Sequence, residues 1–139
     1  MDYSTLSDDE LDRLIAERVG YRVEMEGDTG CLYAPTGERQ SVVFGRPTEN
    51  KVWEEALSFK YDGVYRRVPE YSTDLNAATQ LFKQVSERED AALRYEDGGW
   101  ACEIEIEGGS VAYLYSDELE PARVICLTWL QWDDIRNRS

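Results

Sequence analysis

The apolar residues of this chain recur at two spacings, and the alternation between them limits the fold more than any single motif. Leu11, Leu14 and Ile15 form a stripe at helical spacing, with Asp12, Arg13 and Glu17 outside it. From Tyr21 the period drops to two: Tyr21, Val23 and Met25 alternate with Arg22, Glu24 and Glu26, as in a strand with one wet face. Cys31–Ala34 and Gln40–Phe44 read as two more strands, joined by a turn at Pro35-Thr36-Gly37. A short helix capped by Thr48 carries Val52, Trp53, Ala56 and Leu57, and a longer one carries Leu75, Ala78, Phe82 and Val85. Ala91–Glu96, Trp100–Glu107 and Ser110–Tyr115 then return to period two, broken by Asp97-Gly98-Gly99 and Gly108-Gly109. A last helix opens at Pro121 and buries Ala122, Ile125, Cys126, Trp129 and Leu130. Residues 58–69 carry no clear pattern. This order of elements favours a layered α+β domain over a doubly wound parallel fold, with 1–139 as a single domain.

Local punctuation supports the first helix. Ser7 and Glu10 have capping-box spacing, Leu6 and Leu11 that of a hydrophobic staple, and Gly20 is a natural stop. Asp74 or Ser72 caps the long middle helix. Asp133 and Asp134 fall near a helix C-terminus, where the backbone dipole does not favour them, and the sequence suggests only solubility for them.

Charge narrows the function. Twenty-nine acids against 15 bases give a formal net charge of −14. That balance opposes direct nucleic-acid binding, which depends on Lys and Arg neutralising phosphates, and it repels an anionic membrane surface. The opening MDYSTLSDDE is acidic where a signal peptide would be basic and then apolar, so the expected location is the cytoplasm. Residues 31–70 differ from the rest, holding six acids and six bases. They read either as a salt-bridged surface or as a local positive spot able to take a small anion.

Several chemistries lack their residues. The chain has no histidine, which removes Ser-His-Asp and Cys-His arrangements and the common His-containing zinc sites. Cys31, Cys102 and Cys126 are widely spaced and read as buried thiols, not as metal ligands or a disulfide framework. Neither common Gly-rich phosphate loop occurs. Glu103, Glu105 and Glu107 share a strand face at roughly 7 Å spacing, which a solvated face also gives. The sequence therefore points to a protein that binds and does not catalyse, with no cofactor and no metal.

Aromatic residues supply the candidate site. Four Trp and nine Tyr are many for this length. Trp100 and Trp129 fall on core faces. Trp53, Tyr65 and Tyr71 fall in or beside the charge-balanced segment with Arg46, Arg66 and Arg67. A guanidinium for phosphate and a ring for a base are what a nucleotide-like ligand requires, so these six residues form the expected ligand-binding set. Trp132, one turn beyond Trp129, is expected to be partly exposed and points to a homodimer.

Three stretches resemble the phage ABA-sandwich domain proteins. LSDDELDRLIAERVGY is similar to that family's N-terminal helix, and PEYSTDLNAATQLFKQV to its Tyr-Ser-Thr-Asp turn and Ala-rich helix. EPARVICLTWLQW is similar to its last helix, keeping the Ile125-Cys126 pair while Trp129 and Trp132 replace smaller residues. The resemblance implies a three-layer α-β-α sandwich with a mainly antiparallel sheet, a viral origin, and expression in the cytoplasm of an infected bacterium. It implies no activity. Two functions are expected from these readings together. The first is a phage accessory protein that counters host defence by sequestering a small nucleotide-derived signal. The second is an acidic decoy that binds and inhibits a host protein.

Overall fold

A computed structural model describes residues 3–58, 68–96, 98–106, 110–116 and 120–138. The fold is α+β with antiparallel strands throughout, as expected. Its contacts divide into two compact units: Asp12–Pro69, and Met1–Leu11 together with Glu70–Ser139.

Helix α1 (Asp8–Val19) starts as its sequence demands. The Ser7 backbone N–H donates to Glu10 Oε1 at 3.0 Å, and the Glu10 N–H donates to Ser7 Oγ at 3.2 Å. These bonds hold the Glu10 carboxyl below its ordinary pKa. Leu11, Ile15 and Ala16 are fully buried.

In the unit formed by Asp12–Pro69, β1 (Arg22–Glu26), β2 (Thr29–Tyr33) and β3 (Arg39–Val43) pair in that order. Helix α2 (Glu49–Ser58) lies against all three strands. Thr48 Oγ1 caps it by accepting from the Lys51 N–H at 3.2 Å. Val52, Trp53, Ala56 and Leu57 are buried, matching their helical spacing. The first strand departs from expectation: Val23 is only half-buried and Met25 is 50% exposed. Strand β1 is an edge, so burial concentrates on central β2, at Gly30, Cys31 and Leu32.

In the unit containing Glu70–Ser139, Asp74 caps α3 (Leu75–Ser86) by accepting from the Asn76 N–H at 3.0 Å. The buried stripe is Ala78, Leu81 and Val85, while Leu75 is 46% exposed and Phe82 half-buried. Steps of three and four residues connect either Leu81 or Phe82 to Ala78 and Val85, so periodicity alone does not choose between them. Strands β4 (Asp90–Glu96), β5 (Gly99–Ile106) and β6 (Ser110–Ser116) form the second sheet in sequence order. Cys102 and Ile104 are buried; Trp100 and Ile106 are half-buried.

Helix α4 (Pro121–Arg138) packs on α3, β5, β6 and the opening 3-10 turn Tyr3–Thr5. Trp132 corrects the sequence reading. It is 1% exposed, with its ring 6.3 Å from Trp129 and the Arg136 guanidinium 4.5 Å from its centroid. It therefore offers no surface to a second copy of the chain. Asp133 and Asp134 also have structural roles. Asp133 accepts from Arg136 at 2.9 Å and Asn137 at 3.3 Å, and Asp134 accepts from the Tyr3 hydroxyl. All three cysteines are buried free thiols, as expected.

Gly30 marks the tightest approach in the first unit. A Cβ there would lie 2.5 Å from Val52 Cγ2 and 3.0 Å from Pro47 Cγ. Val52 is fully buried and has little room to yield. Gly30→Ala should cost about 1–3 kcal/mol, the usual range for an overpacked core. The check is a urea midpoint that falls while the slope is unchanged.

Candidate functional site

Of the six residues expected to form a ligand site, three lie among the described residues. Tyr65, Arg66 and Arg67 lie outside the described residues. Arg46 and Trp53 belong to one unit and Tyr71 to the other.

Arg46 is well placed to meet solvent. Its side chain is 83% exposed, and its Nε donates to Asp28 Oδ1 at 2.8 Å. The backbone N–H of Arg46 also donates to the Asp28 carbonyl at 2.8 Å. These bonds hold it at φ 54°, directly after Gly45 at φ 88°. Glycine takes that conformation freely, whereas an arginine pays a steric cost for it.

Trp53 is not open. It is 1% exposed, lies on the buried stripe of α2, and is covered by the Arg13 guanidinium 5.4 Å from its ring centroid. Arg13 is fixed there by Asn50 at 2.9 Å and Glu17 at 3.0 Å. Tyr71, 7% exposed, is also closed to a stacking base. The Thr73 and Asp74 N–H groups both bond the Glu70 carbonyl, and the Ser72 hydroxyl donates to the Asp8 carbonyl at 3.3 Å. The Tyr-Ser-Thr-Asp stretch thus turns the chain, latches it to the start of α1, and caps α3. Lys51–Glu55 at 3.2 Å and Arg46–Asp28 are exposed ion pairs of the kind a salt-bridged surface contains.

The outward face of β4–β5 is polar. Cross-strand pairing sets Asp90 opposite Glu105, Ala92 opposite Glu103, and Arg94 opposite Ala101. Asp90, Ala91, Ala92, Glu103 and Glu105 line a shallow trough. Ala92 leaves space between the carboxylates because its side chain ends at Cβ. Arg94 donates to Glu103 Oε2 at 2.8 Å. The Asp90/Glu105 pair has no such help from its own strand partner: like charges directly opposite each other destabilise a sheet. Glu107 lies outside the described residues. Among the described residues, no three Cys, Asp or Glu side chains gather as a cation site.

The opposite face of β5 is built differently. Cys102 turns toward α4, where the Thr128 hydroxyl meets its thiol, and burial pushes that thiol up to about 11. At the end of the hairpin, Tyr95 is 61% exposed and meets Trp100 edge-on at 5.3 Å. Sequence reading placed Trp100 in the core and did not single out Tyr95. The usable signal was its position beside the Asp97-Gly98-Gly99 turn, where strand alternation outruns the covering helix.

Glu26 organises a smaller cluster on β1–β2. Its Oε1 accepts from the Tyr33 hydroxyl at 2.9 Å and its Oε2 from the Cys31 thiol at 3.5 Å. Arg22 lies 5.2 Å from the Tyr33 ring centroid.

The chain is similar over nearly all of its length to a solved phage protein from Bacillus cereus. The TM-score is 0.56 at 17% identity, covering 96% of this chain and 94% of that one. That likeness shows a shared fold. No protein-family model and no curated protein matches the sequence. No helix among the described residues is long and apolar enough to cross a membrane.

Trp53→Ala should cost about 3–5 kcal/mol in chemical denaturation, as removal of a buried aromatic does. Arg46→Ala should stay within about 0.5 kcal/mol of wild type, because its ion pair is exposed.

Tyr33 provides a pH test. The hydrogen bond to Glu26, with desolvation and that carboxylate's charge, pushes its hydroxyl up to about 12. Its folded-state value lies above the ordinary 10. Its contribution to stability is therefore complete below pH 10 and is lost as pH rises through 12. Ultraviolet titration should show a late-ionising tyrosine that Tyr33→Phe removes. A late step that survives the substitution would assign it to another residue.

Proposed function

We propose that this chain is a non-enzymatic phage accessory protein of the ABA-sandwich type that counters host defence by binding. It acts in the cytoplasm of the infected bacterium, where its acidic surface engages the nucleic-acid-binding face of a host protein. One observation carries this reading: Asp90, Glu103 and Glu105 stand together on the outward face of β4–β5, with Asp90 and Glu105 directly opposed. Like charges opposed across a sheet weaken the fold that holds them. A basic partner converts that cost into attraction, and the net charge of −14 steers it in from a distance. The likeness to a phage protein over nearly all of the chain is consistent with this setting.

A second reading, sequestration of a small nucleotide-derived signal, is favoured by Arg46. Its guanidinium is exposed, its backbone is held in a conformation costly for arginine, and its present partner is a single exposed carboxylate. An anionic ligand could displace Asp28. Arg66 and Arg67 would supply further charge in this reading. With Trp53 and Tyr71 in the core, the ring for the base falls to Tyr65.

The two readings separate experimentally. A host nucleic-acid-binding protein captured by the purified chain should be released by duplex DNA or tRNA. The complex should weaken steeply with salt, because exposed charges are screened over about 8 Å at physiological ionic strength. Glu103→Gln with Glu105→Gln should reduce capture at least tenfold. Unchanged capture by the double variant would overturn the decoy reading. A stoichiometric nucleotide released by heating protein from defence-activated cells, and lost with Arg66→Ala and Arg67→Ala, would establish sequestration instead.

A further inference from the structure

We infer that the outer edge of β1 pairs with the same edge of a second copy of this chain, antiparallel about a two-fold axis at Val23. Among the described residues no strand lies beyond β1 in its sheet, and the β1–β2 register runs from Arg22 to Glu26 without a bulge. An unpaired edge with neither proline nor bulge presents its backbone groups to another strand. The hairpin turn decides which groups those are. Glu26 and Thr29 flank the two-residue loop Gly27-Asp28, with Gly27 at φ 62°. Residues flanking such a loop exchange hydrogen bonds, and the pattern alternates along the ladder. Arg22, Glu24 and Glu26 therefore bond β2, while the backbone N–H and C=O of Val23 and Met25 point outward. Neither Val23 nor Met25 makes a backbone bond outside its sheet among the described residues.

The side chains select the occupant and the register. Outward-facing groups must meet outward-facing groups, so within β1 Val23 faces the partner's Val23, Val23 faces the partner's Met25, or Met25 faces the partner's Met25. The second arrangement sets Glu24 against the partner's Glu24 and leaves Arg22 a Glu26 already engaged by Tyr33 and Cys31. The third sets Glu24 against the partner's Glu26. Like charges directly opposite each other are destabilising. The first sets Arg22 opposite the partner's Glu24, and symmetry repeats the pair. Arg22 already holds its own Glu24 at 3.2 Å, so the facing groups alternate in sign. The apolar row matches too. Tyr21, Val23 and Met25 share the other face, where Met25 Sδ lies 3.2 Å from the point a Gly30 Cβ would occupy beside Val52. Here Tyr21 meets the partner's Met25, covering a methionine that is 50% exposed. Val23 exchanges N–H···O bonds with its copy, and each Met25 N–H donates to the partner's Tyr21 carbonyl. Tyr21 keeps its own N–H for the Ala16 carbonyl at 2.9 Å. The edge is thus self-complementary in charge, apolarity and hydrogen-bond phase, and a two-fold contact closes after two copies. It draws nothing from the acidic β4–β5 face and stands whichever partner that face binds.

Sedimentation of the full chain from micromolar to millimolar concentration should show a reversible monomer–dimer equilibrium. Val23→Pro removes an outward N–H without touching the β1–β2 ladder and should weaken association at least tenfold. Glu24→Arg sets arginine against arginine and should do the same. Exchanging the two charges, Arg22→Glu with Glu24→Arg, should restore association of the variant with itself but not with the wild-type chain, because a mixed pair opposes like charges. Energy transfer between labelled chains reads the mixing. A monomer at every concentration would overturn the proposal, as would association that Val23→Pro and Glu24→Arg leave unchanged. Should Val23→Pro lower the thermal midpoint, the charge exchange decides alone. An exchanged variant that stays monomeric, or that mixes freely with the wild type, would overturn the register at Val23.

Discussion

Helix α4 is buried without a break from Val124 to Leu130, and much of the unit containing it follows from that. A helix hidden on all sides needs apolar neighbours on more than one side, and α3 and the β5–β6 pair provide them. Polar groups within the buried stretch must be satisfied internally. Thr128 does this by donating to the Val124 carbonyl at 2.9 Å, one turn back. Charges are confined to the helix ends, where they act as ties. Near the start, Arg123 bonds Asp8 at 2.9 Å and the carbonyls of Leu6 at 2.6 Å and Ser4 at 3.1 Å. Near the other end, Asp134 receives the Tyr3 hydroxyl. The N-terminal segment is thus placed by a helix more than a hundred residues away, through charge-assisted bonds that are stronger than neutral ones.

This explains what the sequence revealed and what it hid. Elements set by local rules were legible. The Ser7–Glu10 box, the Thr48 cap and the α2 stripe all stand where spacing puts them. Strand positions were legible too, because a glycine-bearing turn between two alternating runs fixes a hairpin. What required tertiary context was not. Trp132 and Asp133 look like surface residues on a helical wheel, yet both are buried because α4 has neighbours around most of its circumference. Met25 looks like core by alternation, yet it lies on an edge strand.

The candidate site was less legible than the fold for a related reason. Composition located a neutral segment rich in Arg and aromatic residues, but it does not report which way a ring faces. Trp53 had two compatible roles, stacking platform and α2 core, and its spacing with Val52, Ala56 and Leu57 already favoured the second. The hydrophobic driving force decides such cases, since fully burying a large side chain is worth about 1.5–3 kcal/mol. Arg46 is different, because a left-handed backbone at a non-glycine residue has no sequence signature.

The two faces of strand β5 divide the work of the hairpin. Cys102 and Ile104 are buried, with Cys102 meeting Thr128 of α4, and this side supplies the burial that holds the strand. On the other side Glu103 ties the two strands through Arg94 at 2.8 Å, while Glu105 faces solvent. A sheet face held from behind can tolerate opposed carboxylates, because a cost of about 0.2–1 kcal/mol for a cross-strand pair is small against the burial on the other side. Position and charge are then fixed by the fold and not by the ligand. Binding a partner of opposite charge asks for no more than this.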